Sequence, residues 1–232
     1  MRVLIGCEES QTVCQAFLDR GHEAWSCDLQ PTRGRHPEFH LQMDVMEAIK
    51  LGGWDLIVLH PDCTAMALSG NRHYGKGKPK HYERIAAIKW TTELWELAKA
   101  YSPRVALENP LSVIFKYIRP VQYVHPAWFG EPIQKKTGFA LHNLPELKPT
   151  NMLEKITSCA CGRTFPVGED CSACKGSRPT RDGYGKLQYQ SSGKWIPEWC
   201  SNADKKTRKR DRSKTFQGMA DAIADQWGSL EK

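Results

Sequence analysis

The chain has 232 residues, a formal net charge of +7, 40% hydrophobic and 25% charged residues. That suffices for one well-packed α/β domain with a small appendage, and the composition excludes wholesale disorder. No apolar run approaches the roughly 20 residues of a membrane span. The N-terminus turns acidic at Glu8 and Glu9, too early for a secretory signal. No membrane partner and a cytoplasmic location are therefore expected.

A short buried strand is predicted over residues 2–5, with Gly6 opening the loop behind it. Val13, Phe17 and Leu18 have helical spacing within 11–20, and Gly21 sits where a C-terminal cap belongs. A second strand over 23–27 ends at Asp28, and a short helix is expected over 44–51. The clearest buried strand, over 54–60, stops at Pro61. An amphipathic helix over 83–101 carries Ile85, Ile88, Leu94, Trp95, Leu97 and Ala98. A strand over 104–107 stops at Asn109-Pro110. Strands alternating with helices imply parallel βαβ units, which gather ligands at the carboxyl ends of their strands. Gly6, Asp28, Cys63 and Glu108 all fall just past such ends.

Beyond residue 150 the composition shifts. Residues 155–200 are rich in Gly, Ser, Cys and Pro with little periodicity, and read as an inserted module. Helical spacing returns over 215–228 with Phe216, Met219, Ala220, Ile223 and Trp227 on one face. The expected organisation is a domain over 1–154, a module over 155–200, and a segment over 201–232 that completes the first domain.

Nine cysteines in a chain read as cytosolic point to reactive or metal-binding thiols rather than disulfides. Cys159-x-Cys161, followed by Cys171-x-x-Cys174, reads as a four-thiolate structural zinc site, because tetrahedral Zn²⁺ takes four convergent soft ligands. Unbound surface thiols or a disulfide pair are the alternatives. Arg163, Lys175, Arg178 and Arg181 make the module basic, which suits a polyphosphate partner. Lys76, Lys78 and Lys80 form another cluster. A third is the run Lys205-Lys206-Thr207-Arg208-Lys209-Arg210-Asp211-Arg212, which equally suits a solvated surface. Tyr184, Tyr189, Trp195 and Trp199 suit either stacking on bases or packing around a small core.

A cysteine in a loop leaving a buried strand is held firmly yet reachable, although alone it reads as a small buried hydrophobe. The segment Cys63-Thr-Ala-Met-Ala-Leu-Ser69-Gly70 resembles the catalytic loop of DNA (cytosine-5) methyltransferases, where Pro-Cys-Gln opens a stretch ending in Ser-Gly. Ala106-Leu107-Glu108-Asn109-Pro110 resembles that family's Glu-Asn-Val motif. The stretch from Phe129 to Thr137 resembles its Gly-x-Pro-Gln-x-Arg-x-Arg segment. Thr215-Phe216-Gln217-Gly218-Met219-Ala220 resembles the closing helix of the compact phage and prophage forms. Asp62 replaces the usual Pro before the cysteine, Thr64 the usual Gln, and Thr137 the second Arg. An ionised Asp62 close to Cys63 is expected to disfavour the thiolate.

The resemblance implies a Rossmann-like, S-adenosylmethionine-dependent methyltransferase sheet with an inserted zinc-ribbon-like module, acting on DNA. It implies a catalytic set of Cys63, Glu108 and Lys135: the Cys63 thiolate adds to cytosine C6, and Glu108 supplies a proton at the N3/N4 edge. It places S-adenosylmethionine against Gly6, Glu8, Asp28, Asp44 and Pro61. The residues leave two other readings open. One is an enzyme on this scaffold acting on a free nucleotide, RNA, or another donor. The other is an inactive zinc-ribbon DNA-binding protein.

Overall fold

Strands whose residues are nearly all apolar occupy the middle of the main sheet, because a parallel strand is covered on both faces. The computed structural model describes residues 1–198 and 215–230. The sheet has seven strands: β1 (Arg2–Gly6), β2 (Glu23–Asp28), β3 (His40–Gln42), β4 (Leu56–Leu59), β5 (Val105–Pro110), β6 (Val121–Val124) and β7 (Thr137–His142). Their order is β3-β2-β1-β4-β5-β7-β6. The first five pair in parallel, and β7 runs antiparallel to both β5 and β6. The fold is thus mixed α/β with a mostly parallel central sheet.

Alternation along each strand divides the core. Leu4, Ile57, Leu59, Val105 and Leu107 face a cluster with Ile49, Trp54, Leu94, Trp95 and Ala98, which come from α2 (Val45–Lys50), the segment after it and α4 (His81–Tyr101). Between β4 and α4 lies the short α3 (Asn71–Tyr74). The opposite face carries the buried Val3, Ile5, Val58, Ala106 and Phe139, together with Phe17 of α1 (Thr12–Leu18). Trp227 of α5 (Gln217–Gly228) is fully buried, with its ring 5.9 Å from that of Phe139. Its indole N–H donates to the Pro145 carbonyl at 3.0 Å. Gln226 exchanges two hydrogen bonds with the Lys148 backbone. The last helix therefore belongs to the same core as the first strands.

Two structural units divide the chain, one of residues 1–124, 136–148 and 219–232, the other of 125–135 and 149–218. The second unit takes in 125–135 because the Trp128 carbonyl accepts from the N–H groups of both Thr150 and Asn151, and the Gln134 side chain accepts from the Tyr184 N–H. Its strands are β8 (Ile156–Cys159), β9 (Thr164–Pro166), β10 (Thr180–Gly183), β11 (Leu187–Tyr189) and β12 (Trp195–Pro197). They form a three-stranded antiparallel sheet in the order β10-β8-β9 and a β11–β12 hairpin.

The sequence pattern missed β3, β6 and β7. The first has three residues, and the other two lie among the turn-forming residues and motif letters of 118–142. Among the described residues, no helix is long and apolar enough to cross a membrane.

Candidate active site and candidate metal centre

The order of the sheet reverses between β1 and β4, which are neighbours with their crossovers leaving in opposite directions. Such a reversal opens a crevice at the carboxyl ends of the strands. Here the loops after β1 and β4 meet: the His60 N–H donates to the Gly6 carbonyl at 2.9 Å. Gly6 is required by this closeness, since a Cβ there would lie 2.7 Å from Val45 Cγ2 and 2.8 Å from Leu59 Cδ2.

Cys63 is half-buried in the loop after β4, and its carbonyl accepts from the N–H groups of Met66 and Ala67, closing a tight turn. The loop is held from three sides. Asn109, buried at the end of β5, donates its side-chain amide to the Pro61 carbonyl at 3.0 Å. Arg84 of α4, also buried, donates to the carbonyls of Ala65 (2.7 Å) and Ala67 (3.2 Å) and to Asn71 Oδ1 (2.7 Å). The segment behind β5 pairs with it through Leu68 N–H to Leu111 O and Val113 N–H to Met66 O.

Glu108 on β5 is buried, with its Oε2 3.3 Å from His60 Nδ1. The strand ends thus bring Glu108 and the Cys63 loop into one neighbourhood, joined by His60 and Asn109. From sequence, His60 and Arg84 carry no assigned role, and Asn109 enters only as a strand stop and a letter of the Glu108 motif. His60 left a signal, as a polar residue closing the wholly apolar run of β4.

Asp62 braces the turn of the loop beside Cys63. Its Oδ1 accepts from both the N–H and the hydroxyl of Thr64, at 2.8 and 2.5 Å, on the exposed side of the loop. Thr64 is therefore the companion of this Asp.

The expected cofactor residues divide. Asp28 at the end of β2 uses one oxygen on the Gln30 N–H, and Asp44 caps α2 through the Met46 N–H. Both, with Asp62, lie close enough to Cys7 to raise its thiol, though burial is the larger cause. Pro61 is buried behind Cys63. Glu8, also expected among the cofactor contacts, is buried and turns inward. Its carboxylate accepts from the N–H groups of Val13 (2.7 Å) and Cys14 (3.2 Å), which an incoming helix leaves without backbone partners. Burial holds the Glu8 carboxyl above the ordinary carboxylate range, against the pull of these bonds.

Lys135 belongs to the second unit, where its ammonium lies 5.3 Å from the centre of the Phe216 ring. In the same unit Tyr184 packs on His125 and Tyr189 on Trp195, with ring centroids 5.1 and 5.0 Å apart. Trp199 and the basic run at 205–212 lie outside the described residues. Lys76, Lys78 and Lys80 are exposed, as are Arg163, Lys175, Arg178 and Arg181.

The four cysteines converge. Cys159 and Cys174 sulfurs are 3.4 Å apart, Cys161 and Cys171 3.5 Å, and all four lie within 4.8 Å of one another. A disulfide needs about 2.05 Å. A tetrahedron with metal–sulfur bonds of about 2.3 Å has edges of roughly 3.8 Å, which this cluster fits. Tight turns present the thiols: the Gly162 N–H donates to Cys159 O, and the Lys175 N–H to Cys171 O. The Cys174 backbone N–H is the main influence holding the Cys171 thiol down, at about 6. A set of four thiols can hold a structural metal such as zinc, and leaves no open position for catalysis.

No protein-family model matches the chain, and no curated protein matches it.

Proposed function

We propose that this chain is a DNA (cytosine-5-)-methyltransferase of the compact phage type, with Cys63 as its nucleophile and Glu108 as its acid. The observation that carries the reading is the junction of the β4 and β5 ends, where His60 meets Glu108 and Asn109 holds Pro61 beside the half-exposed Cys63. The strand order 3-2-1-4-5 supports a Rossmann-like, doubly wound sheet, whose switch point takes the cofactor.

In this reading the Cys63 sulfur adds to C6 of an extruded cytosine as Glu108 gives a proton to the ring nitrogen, leaving C5 electron-rich. S-adenosylmethionine, when bound, supplies the methyl group. Loss of the C5 proton then lets the thiolate leave. Asp28 and Asp44 suit the hydroxyl and amino groups of that cofactor, Gly6 and Pro61 line its loops, and Glu8 shapes the β1 loop from beneath. Lys135 contacts DNA, and the basic thiolate-metal unit grips it in place of a large recognition domain. A cytoplasmic setting follows from this role.

Labelled methyl transfer from S-adenosylmethionine to DNA tests the reading, with Cys63→Ala as the comparison. Wild type is expected to label DNA and to form a covalent complex on 5-fluorocytosine DNA. Robust transfer by Cys63→Ala refutes the mechanism.

A further inference from the structure

His60 stands at the end of a strand of four fully buried apolar residues, Leu56 to Leu59, and its own side chain is only 9% exposed. An imidazole there demands a reason. Its Nδ1 faces Glu108 Oε2 at 3.3 Å, while its Nε2 is buried and has no hydrogen-bond partner among the described residues. The other carboxyl near it is Glu8, tied to the N–H groups of α1.

The two ring nitrogens constrain the proton count. An imidazolium would bury a charged N–H at Nε2 with no acceptor among the described residues, which costs the full desolvation of that group. A neutral ring protonated at Nε2 would bury an unmatched donor as well. A neutral ring protonated at Nδ1 leaves only a lone pair at Nε2, and places its one N–H on Glu108.

We propose that His60 is a positioning residue for Glu108: a neutral imidazole, protonated at Nδ1, that donates to one carboxyl oxygen while the other delivers a proton to the base. The proposal rests on the methyltransferase reading. In the step, the Glu108 O–H bond breaks, an N–H bond forms at the cytosine ring nitrogen, and a carboxylate remains. The His60 N–H stays where it is, and its hydrogen bond becomes charge-assisted and stronger. The proton returns to Glu108 when product forms, so His60 neither gains nor loses one. The imidazole thereby stabilises the carboxylate that appears only as the acid acts, which is where binding energy accelerates a reaction.

The experiment has two readouts. Nitrogen-15 NMR of histidine-labelled protein, with the His60 signal assigned by its loss in His60→Asn, reports the ring tautomer near neutral pH. A neutral ring with the proton on Nδ1, reverting to the commoner Nε2 form in Glu108→Ala, is expected. An imidazolium, or an Nε2–H ring in wild type, overturns the proposal. In methyl-transfer assays His60→Leu is expected to lower kcat by about 100-fold, with KM for DNA within about twofold. His60→Asn, whose amide N–H reaches the place of Nδ1–H, is expected to regain about tenfold of that loss. A wild-type rate in His60→Leu, or no gain in His60→Asn, also overturns it. If wild type transfers no methyl group to DNA, the methyltransferase reading falls, and the tautomer still decides the pairing of His60 with Glu108.

Discussion

The Asn109 side-chain amide donates to the Pro61 carbonyl at 3.0 Å, tying the end of β5 to the loop that leaves β4. Glu108 immediately precedes Asn109, and Cys63 follows Pro61 by two positions, so this hydrogen bond helps to set the spacing of the proposed acid and nucleophile. Asn109 is only 1% exposed, which denies the Pro61 carbonyl a replacement from bulk water.

Replacing Asn109 by Ala leaves that buried carbonyl without its donor, at a cost of about 1–3 kcal/mol in urea unfolding. Methyl transfer is expected to fall further than stability alone explains, by about 100-fold in kcat, because small misplacements of reacting groups are costly. A variant with the expected stability loss and an undiminished kcat would separate Asn109 from positioning.

Arg84 serves the other end of the same loop. Its guanidinium reaches two carbonyls and Asn71 at once, a fork that an ammonium cannot reproduce. Arg84→Met is expected to cost on the order of 2–3 kcal/mol, and Arg84→Lys to recover only part. Hydrogen exchange at 65–70 should rise in both variants, and alkylation of Cys63 should quicken as the loop loosens. Unchanged exchange would show that the backbone pairs to Leu111 and Met66 suffice.

The cysteine cluster carries its own prediction. Purified protein is expected to hold one zinc per chain, read by elemental analysis. Strong chelation or Cys171→Ser should remove the metal and collapse protection in β8–β10, since so small a unit gains its folding energy from the metal. The proposed grip on DNA should weaken in parallel. A chelated protein with intact β8–β10 protection would mean that the antiparallel sheet stands without metal.

Much of this was legible in the sequence, and the exceptions have physical causes. The runs Val3–Leu4–Ile5 and Leu56–Ile57–Val58–Leu59 could be read as buried parallel strands because their burial is local and continuous. The four sulfurs could be read because ligand spacing is itself a sequence property. Arg84 could not, because it sits on a helix among solvated Glu and Lys residues, and only the packing of α4 on the Cys63 loop buries it. The partners of Glu8 were hidden for a similar reason. A carboxylate in the loop after β1 looks available, yet Gln11 in a left-handed conformation turns α1 so that its first N–H groups take both oxygens.

The attachment of α5 gives a pH test of the fold. Arg20 bonds Asp225 at 2.5 Å and Asp221 at 3.5 Å, joining the turn after α1 to the last helix. The hydrogen bond from Arg20 is the largest influence on Asp225, holding its carboxyl below the ordinary value of 3.8. A carboxyl depressed by folding stabilises the fold fully above its unfolded value, and loses that contribution as pH falls through the folded one. The Asp225 side chain is 57% exposed, so solvent screening limits the pair to about 0.5 kcal/mol. Urea unfolding of wild type and Asp225→Asn should therefore differ by about this amount at neutral pH, and less in high salt. The difference should close as the pH drops below 3.8, once wild-type Asp225 is protonated too. A gap that persisted in acid would mean that Asp225 acts through the shape of its side chain rather than its charge.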